Sequence, residues 1–159
     1  MNEALSNALR LAIASDNLAV VKVLLADPRV DPSMDGDAVF DLLLEHGETE
    51  LVKKLLLDTR IDLAADGNYI LIAAAYHRDT EIVKLLLADV RIDPNEGDEG
   101  EENVVTAAIQ NNQSEVLALL LAYGRIDLEN YDARSVARRM IEGNDTKADA
   151  ARLFLAHVA

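Results

Sequence analysis

The chain has 159 residues, half of them apolar, but only four Tyr and two Phe are aromatic. A chain of this length folds as one domain or one short stack of repeats and buries about 70% of its unfolded surface. Its net charge of −14 disfavours nucleic acid and anionic membranes and favours a basic partner, although solubility alone also explains an acidic surface. Cysteine is absent, which excludes disulfides, thiolate catalysis and Cys-based zinc sites.

The start of the chain has no basic flank followed by a long apolar run, so no signal peptide is predicted. No stretch approaches the roughly 18 apolar residues that a membrane-spanning helix requires. We therefore expect a cytoplasmic protein, with the nucleus as the alternative compartment, and no membrane partner.

Apolar residues at helical spacing predict a first helix over 3–15 and a second over about 17–27, which stops before Pro28. A turn-rich connector, Asp31–Asp37, follows, because Pro fixes φ and Gly supplies positive φ. The same pattern recurs and predicts three further helix pairs: 38–46 with 48–58, 69–77 with 79–89, and 103–111 with 113–123.

The later part of the chain departs from this regularity in two places. An acidic run at 96–102 lengthens the connector before the fourth pair. A fifth, divergent pair is predicted over 134–142 and 146–158. Terminal repeats deviate because one of their faces has no neighbour, and we interpret the basic residues of this pair as a solvated end face.

One sequence motif recurs along the whole chain. It carries an Arg at positions 29, 60, 91 and 125, at spacings of 31, 31 and 34 residues. Self-similarity at such a period is typical of stacked-repeat proteins. One helix pair cannot bury its apolar stripe alone, whereas stacked neighbours join the stripes into a continuous core. The units are predicted at about 3–33, 34–64, 65–95, 96–128 and 129–159, within a single domain 1–159.

The segment 71–87, Leu-Ile-Ala-Ala-Ala-Tyr-His-Arg-Asp-Thr-Glu-Ile-Val-Lys-Leu-Leu-Leu, resembles the L-H-L-A-A-x-x-G-H-x-E-I-V-K-L-L-L core of the ankyrin repeat. The resemblance implies an all-α helix-turn-helix solenoid of about five repeats with short hairpin-like connectors. The family's Thr-Pro is missing from every repeat. Two one-residue deletions shorten the usual period of about 33 residues to 31.

The resemblance also implies where a partner binds. Ankyrin ligands contact the concave side, through connector tips and the two variable residues that close each inner helix. The residues so assigned are Met34, Asp35, Asp37, Glu45, His46, Asn68, Tyr69, Tyr76, His77, Gln110 and Asn111, together with the 96–102 finger. Tyr69 and Tyr76 are the expected anchors, because interface energy concentrates on aromatic residues. The alternative is that both rings pack against the next connector.

Two repeated patterns receive a structural interpretation. The recurring Arg-x-Asp, as in Arg29 and Asp31, predicts ion pairs within and between repeats rather than an anion-binding stripe. The segment 31–36 resembles the start of an EF-hand calcium loop, but the twelfth position, which should be Glu, is Leu42. No metal site is therefore predicted.

No catalytic pattern is present. His46 and His77 lie 31 residues apart, hence on adjacent inner helices about 8–10 Å apart, which is too far to share a metal unaided. The sequence contains no P-loop, G-x-G-x-x-G or H-E-x-x-H motif. We expect neither an enzyme nor a cofactor.

These observations favour a monomeric, non-enzymatic protein-binding module whose concave face holds a basic or polar segment of another protein. A partnerless or artificial scaffold is the alternative. A small stand-alone ankyrin inhibitor of a kinase is a narrower analogy that rests on chain length alone. A calcium-responsive protein is a third class.

Overall fold

The computed structural model describes residues 2–63, 66–95, 103–128, 133–143 and 148–158. These residues form ten α-helices: α1 Asn2–Ala14, α2 Leu18–Leu25, α3 Gly36–Glu45, α4 Thr49–Leu56, α5 Gly67–Tyr76, α6 Thr80–Ala88, α7 Val104–Gln110, α8 Ser114–Tyr123, α9 Ala133–Glu142 and α10 Asp149–His157. A 3-10 helix, Pro32–Asp35, precedes α3. None of the described helices is long and apolar enough to cross a membrane.

The helices pack as five consecutive pairs in two rows. The first helices of the pairs form an inner row, in which α1, α3, α5, α7 and α9 each contact the next. The second helices form an outer row, in which α4, α6, α8 and α10 each contact the next. The predicted all-α helix-turn-helix solenoid is confirmed.

In each of the first four helix pairs, the turn is made at one residue in the left-handed region. Asp16, Gly47, Arg78 and Asn112 hold equivalent positions, with φ of 51°, 68°, 65° and 52°. Positive φ is costly for any residue but Gly, less so for Asn and Asp. Arg78 is therefore the most strained member of this set.

The core is continuous along the stack. Val21, Val52, Val83 and Leu117 occupy one repeat position in the outer helices, and all are fully buried. The small residues expected between inner helices are also buried, namely Ala12, Ala73, Ala74, Ala107 and Ala108. The second repeat has Leu42 and Leu43 at these positions, and both are buried as well.

The described parts of the connectors contain turns and the 3-10 helix rather than strand pairs. Val30, Ile61 and Ile92 are buried beneath them, as expected, and Ile126 is half-buried. Asp31 caps the 3-10 helix by accepting hydrogen bonds from the backbone N–H and the hydroxyl of Ser33, at 3.0 and 2.7 Å. The acidic finger 96–102 lies outside the described residues.

After that finger, α7 begins with a reciprocal cap. The Asn103 side chain accepts hydrogen bonds from the N–H groups of Val105 and Thr106, each at 3.0 Å. The Asn103 N–H in turn donates to the Thr106 hydroxyl at 3.0 Å. Both residues are buried, so this capping box satisfies donors that would otherwise be orphaned at the helix start.

The predicted Arg–Asp pairing was wrong in its partner. Arg29 binds Asp27, two residues before it, rather than Asp31, and its Nη2 lies 2.5 Å from Asp27 Oδ2. Arg60 and Arg91 bind the equivalent residues, Asp58 and Asp89, in the same way, each at 2.6 Å. The carboxylate also accepts from the backbone N–H of each Arg, and this second bond selects the preceding Asp.

Contacts between repeats supplement these local pairs. Arg60 Nη1 donates to the Val30 carbonyl oxygen of the preceding connector at 2.6 Å. The pKa of Arg60 is raised chiefly by its hydrogen bond to Asp58 and least by the charge of Asp31. The expected link from Arg to the carboxylate of a neighbouring repeat is therefore present as the weaker of the two interactions.

The fourth repeat replaces the preceding Asp with Tyr123. The guanidinium carbon of Arg125 lies 5.5 Å from the centre of the Tyr123 ring, within cation–π range. The Tyr123 hydroxyl donates to the Leu87 carbonyl oxygen of the preceding repeat. An aromatic ring thus takes the place of the carboxylate and adds a contact between repeats.

Candidate protein-interaction surface

The residues predicted to bind a partner fall mainly at the ends of the inner helices. Glu45, Tyr76 and Gln110 are the last residues of α3, α5 and α7, and His46, His77 and Asn111 follow as the capping residues. The fixed repeat places them at equivalent positions of successive layers. They therefore form one row along the stack.

Two of the capping residues serve their own helices. His46 Nδ1 donates to the Leu42 carbonyl oxygen at 3.0 Å, and Asn111 Nδ2 donates to the Ala107 carbonyl oxygen at 2.9 Å. Each carbonyl also accepts the backbone N–H of the same capping residue, so the side chain adds a second hydrogen bond at a helix end that the backbone already closes. His46 Nε2 also lies 3.5 Å from Asp16 of the first repeat.

His77 behaves differently and links two repeats. Its Nε2 donates to Asp41 Oδ1 in α3 at 3.0 Å. The side chain of Asp41 remains about half exposed, whereas that of His77 is largely covered. The sequence did not single out Asp41. Its only signal is a carboxylate at an inner-helix position where the third repeat has Ile72.

Tyr76 presents its ring beside this pair. It is 53% exposed, and its ring meets the His77 ring edge-on, with centroids 5.1 Å apart. Its carbonyl oxygen accepts a hydrogen bond from Gln113 Nε2 in the next repeat at 3.1 Å. The next repeat thus holds the backbone of Tyr76 while about half of the side chain stays exposed.

Tyr69, at the start of α5, is 42% exposed. Partial burial and, after it, the negative charges of Asp41 and Asp37 raise the pKa of the phenol. Both carboxylates therefore act on the same ring. Asn68, the preceding residue, is half-buried. Tyr69, Tyr76, His77, Asp37 and Asp41 form the aromatic–acidic group, which spans the second and third repeats.

An acidic depression lies beside this group at the start of α3, lined by Ser33, Met34, Asp35, Gly36, Asp37, Ala38 and Asp66. Burial and the charge of Asp66 raise the pKa of Asp37. Asp35 is paired with Arg10 Nε at 2.8 Å. Met34 exposes about half its surface, and its sulfur accepts a hydrogen bond from the Ser6 hydroxyl at 3.0 Å.

The predicted residues fall in neighbouring places. Met34, Asp35, Asp37, Tyr69, Tyr76 and His77 belong to the aromatic–acidic group or to the depression beside it. The row of inner-helix ends holds Glu45, His46, Gln110 and Asn111, and Asn68 precedes Tyr69 in α5. Across the described ranges, no cluster of three or more His, Asp or Glu side chains could hold a metal ion.

The family model described as ankyrin repeats (3 copies) matches residues 38–132. The match covers 95 of the 159 residues, more than half of the chain. The chain belongs to the ankyrin-repeat family. Comparison with curated proteins and with solved structures gives no match. Ankyrin repeats generally mediate protein–protein interaction, and the family is a non-enzymatic interaction module.

Proposed function

We propose that this ankyrin-repeat chain binds an extended, basic segment of another protein along the inner-helix ends, the side that the family resemblance identifies as concave. The observation that carries the proposal is the aromatic–acidic group. Two half-exposed Tyr rings lie beside carboxylates that bear on Tyr69 or bind His77. Exposed aromatic rings on a rigid support are the usual anchors of protein interfaces.

The group suits a Lys or Arg side chain of the partner. Such a cation is attracted by Asp37 and Asp41 and can rest over the face of Tyr69 or Tyr76. The acidic depression extends the negative potential toward the first repeat. The net charge of −14 also steers a basic segment toward the chain.

The rigidity of the surface supports tight binding. The row of helix ends is held by the caps at His46 and Asn111 and by the link between His77 and Asp41. A partner therefore meets side chains whose backbone is already ordered, and the entropy lost on binding is reduced.

The test is a selection of displayed peptides of random sequence against the full chain, followed by measurement of Kd for the best binders. We expect enrichment of Lys and Arg and a Kd that rises with salt. The double variant Tyr69→Ala with Tyr76→Ala should weaken binding by about 30-fold or more. The matched control, Leu57→Ala with Val90→Ala, removes two other exposed apolar side chains and should leave Kd unchanged.

Other outcomes assign other functions. Equal binding by the double variant and the parent chain would discard the aromatic–acidic group as the anchor. A chain that selects no peptide and captures no protein would fit a partnerless or artificial scaffold, which the regular repeats and the few aromatic residues also suit. Capture of a kinase with loss of its activity would support the inhibitor analogy.

A further inference from the structure

The first repeat exposes a position that every internal repeat described in the structure buries. Leu11 of α1 is 69% exposed. Its equivalents at one-repeat spacing are Leu42, Ala73 and Ala107, which are 7%, 6% and 0% exposed. The residue type is apolar throughout, so the difference lies in what covers the position and not in the sequence pattern.

The outer helix of the first repeat has the same character. Val20 is 42% exposed, whereas its equivalents in the third and fourth repeats, Ile82 and Val116, are 0% and 1% exposed and its equivalent in the second repeat, Leu51, is half-buried. Leu24 is half-buried, while its equivalents Leu55, Leu86 and Leu120 are buried. Leu11, Val20 and Leu24 together define the leading face of the first repeat.

The cover that the internal repeats receive comes from the preceding helix pair. Inner helices contact the next inner helix along the stack, and α4, α6 and α8 contact the next outer helix. A position that is more exposed in the first pair than in the later pairs therefore faces the preceding unit. Leu11 and Leu24 differ in this way from all three of their equivalents, and Val20 differs most clearly from Ile82 and Val116. Val23 is not of this kind, because it is exposed and so are its equivalents Lys54 and Leu85.

The first helix pair also carries no net charge. Within residues 2–25, Glu3 and Asp16 are balanced by Arg10 and Lys22, so the net charge of −14 resides in the remainder of the chain. Exposed apolar residues on the outer side of an end repeat are unusual, because terminal units normally carry polar residues where they meet water.

We propose that the leading face is a stacking surface for a further two-helix unit of the ankyrin type, seated in the register of the internal repeats. The structure supplies the template, since the trailing sides of three helix pairs already cover the equivalent residues. The required partner presents an apolar trailing face. The last repeat of a second copy is an unsuitable partner. The exposed side of α9 carries Arg134, Arg138 and Arg139. Stacking that repeat on the leading face would bury these three cations against Leu and Val side chains.

The test adds one repeat to the full chain and measures how a substitution at Leu11 changes stability with and without that repeat. A copy of residues 34–64 joined directly ahead of Glu3 preserves the 31-residue phase. Urea unfolding of this extended chain should show a higher midpoint than that of the parent. Leu11→Gln should lower the midpoint by about 1 M in the extended chain and by less than about 0.3 M in the parent, because the side chain is covered only in the former.

Two controls accompany the measurement. Leu42→Gln in the parent chain should lower the urea midpoint as much as Leu11→Gln does in the extended chain, since Leu42 is the buried equivalent of Leu11. Val23→Gln should have a small effect in both chains, since that position stays exposed. A midpoint that does not rise on extension, or an effect of Leu11→Gln that is equally small in both chains, would overturn the proposal.

The alternative to this proposal is a symmetric dimer in which the leading faces of two copies of the chain contact each other. Sedimentation equilibrium of the parent chain distinguishes it. A monomer at high concentration agrees with the proposal, whereas a dimer that Leu11→Gln dissociates would assign the face to self-association and overturn it. Peptide binding at Tyr69 and Tyr76 is measured separately, so either proposal can fail without the other.

Discussion

The first and third repeats have similar amino-acid sequences, but their side chains lie in different surroundings. Val20 and Ile82 occupy the same position, yet one faces solvent and the other is fully buried. The turn residues Asp16 and Arg78, and the pairs Asp27–Arg29 and Asp89–Arg91, are likewise equivalent. The comparison separates what a repeat determines within itself from what its neighbours determine for it.

The largest expected difference concerns burial. Ile82→Ala should lower the free energy of unfolding by about 2–5 kcal/mol, because it removes a fully buried side chain between two layers. Val20→Ala should cost less than about 1 kcal/mol. Urea denaturation followed by circular dichroism measures both. Equal losses would mean that the first repeat is covered in solution.

The second difference concerns space at the start of the inner helix. A Cβ on Gly67 would lie 2.7 Å from Ile92 Cγ1, so Gly67→Ala should lower the free energy of unfolding by about 1–3 kcal/mol. The equivalent Gly36 has no atom within 4 Å of such a Cβ and has helical φ and ψ. Gly36→Ala should therefore stabilise by about 0.5–1 kcal/mol.

A double-variant cycle checks the cause at Gly67. If the clash with Ile92 is responsible, Gly67→Ala should cost clearly less in the Ile92→Ala background than in the parent. An equal loss of stability in both backgrounds would mean that Gly67→Ala acts through the backbone conformation and not through the contact with Ile92. The first repeat has the larger Leu5, half-buried, at this position, so the restriction belongs to the third repeat.

The third difference concerns backbone strain. Arg78 has φ of 65°, and Arg78→Gly should raise the free energy of unfolding by about 1 kcal/mol. Asp16→Gly should give a smaller gain, because Asp tolerates the left-handed region better than Arg does. Thermal melting of the two variants ranks them. A lowered melting temperature for Arg78→Gly would show that its side chain is needed for packing.

The smallest effect is one in which the two repeats should agree. Hydrogen bonds from Arg29 and Arg91 lower the pKa of Asp27 and Asp89 to about 2. Because the folded pKa lies below the ordinary value of 3.8, this contribution to stability is present above about pH 4 and is lost as pH falls toward 2. Carboxyl NMR titration should give the same low value for both.

A matched pair of variants tests the assignment. Arg29→Gln should raise the pKa of Asp27 and leave Asp89 unchanged, and Arg91→Gln should do the reverse. The rise should be incomplete, because the backbone N–H of residue 29 or 91 still donates to the carboxylate. A pKa of Asp27 that stays low in Arg29→Gln would contradict the local origin of the shift. Different values in the parent chain would mean that stacking, rather than the Asp-x-Arg segment, controls the pairing.

The helix pairs could be predicted from the sequence because their apolar spacing is local and recurs in every repeat. Boundaries differ by a few residues, as for α2, which ends at Leu25 rather than about 27. The left-handed turn position was not predicted, because only Gly47 among its four occupants is glycine. The Arg pairing was mispredicted because Arg29, Arg60 and Arg91 each have an Asp two residues away on both sides.

The binding surface could be predicted only in outline. The family resemblance assigned Tyr69, Tyr76 and His77, and their partner-binding role stays a prediction. Asp41 was missed because it meets His77 across 36 residues, a separation that no repeat spacing indicates. The exposure of Leu11 and Val20 could not be predicted from the sequence either, since the equivalent residues of the later repeats are also apolar.

The capping box of α7 has a practical consequence for the acidic run before it. Asn103 and Thr106 cap the start of the helix with their own side chains and backbone groups. That run is consequently a good place to graft a tag, a fluorophore-bearing loop or a recognition peptide. Such an insertion should leave both the fourth layer and the tyrosine-bearing edge intact.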